Sequence, residues 1–222
     1  MRNAPDKYIP ALNFDRLTAF YDPLIRWALR ENTFKRRLIE QAGIRPGQRV
    51  LDLGCGTATL TMLVKRSQPA SDVTGLDGDP NILKIAEVKI AQSGLDIRLD
   101  RGVSFDLPYA SESFDRVLSS LMLHHLTRAN RVRTLLEVLR VLRPDGALHI
   151  ANWGKPQNGW MRAAFYLVQN LDGFETTDDS VKGLLPVLMH EAGFEDVQQA
   201  DQFATVLGTL CLYRARKPSA GG

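Results

Sequence analysis

The stretch "RVLDLGCGTATLTMLVKR", residues 49–66, constrains this chain more than any other. "RVLDL" reads as a short buried strand, and "ATLTMLVKRS" carries apolar residues at helical spacing, so Gly54 and Gly56 occupy a strand-to-helix turn. Lacking a Cβ, the two glycines let the backbone turn tightly and let a ligand approach the main chain. The first amides of the next helix point toward that ligand.

From there the pattern alternates. "SDVTGLD" reads as a strand, "PNILKIAEVKIAQS" as a helix ending before Gly94, "DIRLDRG" and "FDRVLSS" as strands, "ANRVRTLLEVLRVL" as a helix, "RPDG" as a turn and "ALHIANW" as a strand. Strands alternating with helices imply an α/β fold with a parallel sheet wound on both faces, whose ligands sit at the carboxyl ends of the strands. The alternation breaks after the helix pattern "VKGLLPVLMHEAGF": "EDVQQAD" and "ATVLGTLCLYRARK" follow without a helix between them and are expected to pair antiparallel. Residues 1–45 and 154–180 read as helical additions over the ligand edge, around a core at 46–153 and a C-terminal helix and hairpin at 181–217. No linker or repeat separates a second domain.

With 28 basic and 25 acidic residues the charge is too even to indicate a nucleic-acid partner; "TFKRRL", around Lys35, reads as a solvated helix face. Cys55 and Cys211 are far apart and fit neither a disulfide framework nor a metal site, which points to a reducing compartment, the cytoplasm by default. No apolar run approaches the roughly 20 residues of a membrane span, and the prolines at Pro5 and Pro10 interrupt any signal-peptide core. Arg26, Arg30, Lys35, Arg36 and Arg37 are too few to favour membrane contact.

Asp77 closes the second strand about 20 residues past the glycines, where a carboxylate can accept both hydroxyls of a ribose. A dinucleotide would require a third glycine, and Thr59 stands in its place; no phosphate-binding lysine follows the turn, and no Tyr-x-x-x-Lys pair occurs. The pattern points to a ribose-bearing ligand without a pyrophosphate.

These residues resemble the class I S-adenosylmethionine-dependent methyltransferases, particularly the small-molecule group similar to the ubiquinone/menaquinone-biosynthesis enzymes. "VLDLGCGTA" is similar to that family's first motif, "GLDGDPNIL" to its second, "FDLPYASESFDRVLSS" to its third with the following strand, and "LRVLRPDGALHIANW" to its closing turn and fifth strand. The resemblance implies a Rossmann-like, seven-stranded, mostly parallel sheet with an antiparallel C-terminal strand beside the fifth. It implies S-adenosyl-L-methionine as cofactor, with Gly54, Cys55 and Gly56 against its methionine part, Asp52 near its amino group, Asp77 on the ribose, Gly78 and Asp79 edging the adenine, and Ser120 completing the set. Val103 departs from the acidic residue common after the third-motif glycine, leaving Ser104 and Phe105, or a side chain nearby, to read the adenine. Asp145 stands where the closing turn commonly has glycine, a change Asp tolerates.

Methyl transfer from a sulfonium chiefly requires alignment and exclusion of water, and needs a base only if the acceptor must lose a proton. His124 and His125 in "LMLHHL" are chemically able to take one near neutral pH; the resemblance points to His125, whose other reading is a helix cap or packing residue. Tyr21 resembles the family's lid tyrosine and equally fits the buried stripe of an amphipathic helix. His124, Trp153 and Trp160, with an aromatic cap at Phe165 and Tyr166, suit a small, apolar or lipid-like acceptor, or fill a core. No metal site is expected from four scattered histidines. Two other readings share parts of the pattern: a nicotinamide oxidoreductase, which leaves the terminal hairpin unexplained, and a non-catalytic cofactor-binding partner protein.

Overall fold

The computed structural model describes residues 31–155, 183–205 and 208–219. In chain order these form α1 (Glu31–Ala42), β1 (Arg49–Leu53), α2 (Thr59–Ser67), β2 (Asp72–Asp77), α3 (Pro80–Ser93), β3 (Arg98–Arg101), β4 (Phe114–Ser120), a short 3-10 turn (Leu123–His125), α4 (Arg128–Val141), β5 (Leu142–Trp153), α5 (Leu185–Glu191), β6 (Glu195–Thr205) and β7 (Gly208–Arg216). The strands make one seven-stranded sheet in the order β3-β2-β1-β4-β5-β7-β6. Strands β1 to β5 pair in parallel, while β7 runs antiparallel to both β5 and β6. The expected terminal hairpin therefore forms, with β6 ending and β7 beginning four residues later than the sequence suggests: Ala204 and Thr205 finish β6 opposite Thr209 and Gly208.

Strand alternation sorts the sheet's side chains onto two faces. Leu51, Val117, Leu148 and Ile150 pack with α4 and α5 through Leu135, Val138, Leu188 and Met189. Val50, Leu118, Ala151 and Trp153 face the other way, against Phe34 and Leu38 of α1 and Leu60 and Val64 of α2. Burying each such aliphatic side chain contributes about 1.5–3 kcal/mol, so both faces hold their helices by area. Asp52 is registered opposite Leu118, and Ser120 opposite Ala151, so parity puts Asp52 and Ser120 on the α1 face as well.

Local chemistry sets the helix limits. Asp79 caps α3, its carboxylate accepting from the amides of Asn81 and Ile82 ahead of Pro80 in the first turn, and Gly94 ends it with a left-handed backbone. Thr127 caps α4 by accepting from the Asn130 amide, which removes the capping alternative for His125. The "RPDG" segment is an extension of β5 with a register shift opposite Phe114 and Arg116, and Asp145 takes a left-handed backbone there with φ 61°. The helix read from "VKGLLPVLMHEAGF" is confined, among the described residues, to Leu185–Glu191, with Pro186 in its first turn.

One expectation is corrected. "TFKRRL" is not a uniformly solvated face: Phe34 and Leu38 are fully buried, and Lys35, adjacent to that stripe, is itself buried, whereas Arg36 and Arg37 face solvent. Residues three and four apart share a side of a helix, so Leu38, four after Phe34 and three after Lys35, brings Lys35 to the edge of the buried stripe.

Candidate functional site

A cavity of about 350 Å³ opens where the chain leaves the carboxyl ends of β1, β2 and β4. Its floor is the glycine turn. The amides of Gly54 and Cys55 both donate to the Leu76 carbonyl, at 2.9 and 3.0 Å, which ties the end of β1 to the end of β2. Gly54 and Gly56 have φ of 72° and 54°, and a Cβ on Gly54 would lie 2.3 Å from Met122 Cγ. Glycine is therefore required at 54 for backbone and space alike.

Asp77 joins the two turns. One carboxylate oxygen accepts from the Gly56 amide at 2.9 Å and the other from the Asp79 amide at 3.0 Å. A carboxylate has about four acceptor positions, so both oxygens keep capacity for a pair of ligand hydroxyls. Gly78, Gly102, Val103, Ser104 and Phe105 continue the wall from there. The Ser104 hydroxyl is engaged with Thr134 at 2.9 Å, and the Phe105 ring lies under the Arg133 guanidinium at 5.0 Å. With Val103 apolar, the polar side chain that the sequence leaves unspecified at this end is Asn130, one helical turn before Thr134 on α4.

At the β4 end, Leu121 adopts φ 55° while its amide donates to the Ala151 carbonyl at 2.8 Å. A left-handed leucine costs roughly 1–2 kcal/mol. The reversal delivers Met122 and His125 into the cavity wall, beside Ser120, Leu126 and Thr127. Glu31 and Lys35 of α1 close the opposite side as an ion pair whose side chains are only 15% and 11% exposed.

Of the residues singled out in the sequence, Gly54, Cys55, Gly56, Asp77, Gly78, Ser104, Phe105, Ser120 and His125 meet at this cavity. Four others lie elsewhere. Asp52 is buried behind the wall, accepting from the Thr61 hydroxyl at 2.7 Å; burial raises its pKa to about 6 against the opposing pull of Thr61 and Lys35. Asp79 serves as the α3 cap. His124 is buried with Nδ1 3.1 Å from the Asn152 side-chain oxygen, and burial together with neighbouring His125 holds its pKa well below the usual imidazole value. Trp153 is core, packed with the α1 and α2 residues. Tyr21 and Trp160 lie outside the described residues. Burial raises the Cys55 thiol far above the range of a thiolate nucleophile. Among the described residues no group of three or more His, Cys, Asp or Glu could hold a metal ion.

Sequence reasoning missed Glu31, Lys35, Met122 and Asn130. A signal existed for the first two: their spacing of four, flanking the Phe34/Leu38 stripe, marks them as neighbours on one side of α1. For Met122 and Asn130 there was none, because their placement depends on the reversal at Leu121 and on α4 packing over the 103–107 segment.

Residues 50–146 match the model of the methyltransferase domain family. A demethylmenaquinone methyltransferase of Lactobacillus johnsonii is 33% identical over 166 residues, covering 70% of this chain and 67% of the relative. A ubiquinone/menaquinone biosynthesis C-methyltransferase UbiE of Shewanella pealeana is 29% identical over 185 residues, covering 74% and 73%. Among solved structures, a SAM-dependent methyltransferase of Aquifex aeolicus has the same fold, with a TM-score of 0.63 at 16% identity over 82% of this chain and 89% of that one.

Proposed function

Because the chain belongs to the S-adenosylmethionine-dependent methyltransferases, we propose that it transfers the methyl group to a small apolar acceptor of the isoprenoid-quinone class, in the cytoplasm. The observation that carries the donor half is the Asp77 carboxylate, fixed by two backbone amides at the cavity edge and beside a glycine turn in which a Cβ on Gly54 would run into Met122. A ribose fits the carboxylate, and a thioether-linked amino-acid chain fits the glycine floor. The Ser120 hydroxyl supports the same fit: it is buried in this wall with no hydrogen-bond partner among the described residues. Bound there, the cofactor supplies an electrophilic methyl group on a sulfonium.

This chain's residues do the rest. Gly54, packed closely against Met122, forms a floor that keeps water from that side of the reacting centre. Leu121, Met122 and Leu126 give the acceptor an apolar wall. His125, in that wall, takes the proton an aromatic hydroxyl must lose before the ring carbon becomes nucleophilic. The relatives named for demethylmenaquinone and ubiquinone/menaquinone methylation support this acceptor class.

The test is to incubate the purified chain with methyl-labelled S-adenosylmethionine and, separately, a reduced short-tail demethylmenaquinone, a phenol and an ethanolamine phospholipid. Label on the ring carbon of the quinol supports the reading. Label on oxygen of the phenol, or on nitrogen of the lipid, with none on the quinol, overturns the acceptor class.

A further inference from the structure

The Glu31–Lys35 pair is unusual for an ion pair at helical spacing of four. Such pairs normally lie in solvent, where they contribute little to stability. This one is nearly desolvated in a cavity wall, where an ion pair is weak evidence for stability because its desolvation offsets its attraction. Its place in the cavity follows from the strand order. Asp77, the ribose position, ends β2; on its far side lie β3 and the 103–105 segment, and on its near side come β1 and then β4. A ligand with its base toward β3 extends its other end toward β1 and β4. There α1 covers the sheet face that carries Asp52 and Ser120, and Lys35 acts electrostatically on Asp52. The Ser120 hydroxyl, which has no hydrogen-bond partner among the described residues, is a second polar group on the same wall.

We propose that Lys35 and Glu31 together form the receptor for the zwitterionic amino-acid end of the methyl donor, Lys35 taking the α-carboxylate and Glu31, with the Ser120 hydroxyl, taking the α-ammonium. The inference rests on the donor reading above. A zwitterion is the one ligand head that can insert into an ion pair and leave neither charge without a counter-charge. Both protein charges then exchange a partner for a partner, and the desolvation already present in the empty pair is not incurred again on binding.

The experiment is calorimetric titration of the full chain with three ligands: S-adenosylhomocysteine, its analogue lacking the carboxylate but keeping the amine, and 5′-methylthioadenosine, which lacks the whole amino-acid end. Lys35→Met should weaken S-adenosylhomocysteine by on the order of tenfold to a hundredfold, the range of a charge-assisted hydrogen bond, and leave the other two within about twofold. Glu31→Gln should weaken both amine-bearing ligands and spare methylthioadenosine, and Lys35→Arg should restore most of the loss. Equal weakening of all three ligands, unchanged S-adenosylhomocysteine affinity in Lys35→Met, or tighter binding in Glu31→Gln overturns the proposal; the last would make Glu31 a competitor of the ligand. If none of the three ligands binds the unaltered chain, the donor reading itself fails.

Discussion

The carboxylate of Asp77 accepts a hydrogen bond from the amide of Gly56 at 2.9 Å, so the acid at the end of the second strand holds the glycine turn at the end of the first. Its other oxygen holds the Asp79 amide. The same group that organises two loops therefore also lines the cavity.

Asp77→Ala removes both backbone ties and the hydroxyl acceptor. With each charge-assisted bond worth about 1.5–3 kcal/mol, S-adenosylhomocysteine affinity should fall by at least roughly a hundredfold. Calorimetry on the variant, with its fold checked by circular dichroism, measures this; undiminished affinity in a folded variant would refute the ribose assignment.

Gly54→Ala forces a side chain into left-handed backbone and against Met122 Cγ. We expect a loss of about 1–3 kcal/mol in urea unfolding. Adding Met122→Ala removes the overlap with Cγ and leaves Met122 Cβ 2.7 Å from the added methyl, so the double variant should recover part of the overlap cost and none of the φ cost, and should stay less stable than the Met122→Ala variant.

Ala58, fully buried just before α2, also has a left-handed backbone, with φ 59°. Ala58→Gly relieves that strain while adding freedom to the unfolded chain. The net expectation is a gain of roughly 0.5–1 kcal/mol, read from the urea midpoint at constant slope. A loss would mean that the Ala58 methyl contributes more by packing than the backbone strain costs.

Asp52 has a pKa of about 6 in the fold, above its ordinary value, because it is buried. A raised pKa means that the folded state binds the proton more tightly than the unfolded state. Its contribution is full below pH ~4 and is lost as pH rises through about 6. Asp52→Asn keeps an acceptor for Thr61 and removes that loss. The variant's stability relative to the parent should therefore rise between pH 4 and 7, by on the order of 2 kcal/mol. Unfolding curves at pH 4.5 and about pH 7.5 test the sign; a difference independent of pH would show that Asp52 does not titrate in this window.

His125→Asn, if His125 is the base, should lower kcat by about a hundredfold or more and leave S-adenosylhomocysteine affinity within about twofold. His124→Asn should act differently, through the stability of its buried contact with Asn152. Normal turnover of His125→Asn at every pH would remove the proposed base.

Much of the framework is legible in the residues. The strand and helix periods, the glycine turn, the Asp79-Pro80 start of α3 and Gly94 at its end are local features, and each element falls within a few residues of its expected place. The terminal hairpin is legible as well, because two extended runs separated by a short turn can only pair antiparallel. The errors fall where a local pattern has two outcomes. Adjacent His124 and His125 must diverge, yet only the 3-10 turn from Leu123 to His125 decides which one enters the cavity. Trp153 ends β5 on the face that α1 covers, which turns an expected acceptor contact into core.

The sequence by itself determined the order of the elements and the Gly54–Gly56–Asp77 spacing, because backbone geometry and side-chain period act over a few residues. Only the tertiary structure decided that α1 lies across the Asp52 and Ser120 face and brings Lys35 and Glu31 to the cavity. That choice is made by burial of Phe34 and Leu38 against strands from distant parts of the chain. The charge of Lys35 follows the helix phase those two residues impose, and no run of basic residues read in isolation carries that information.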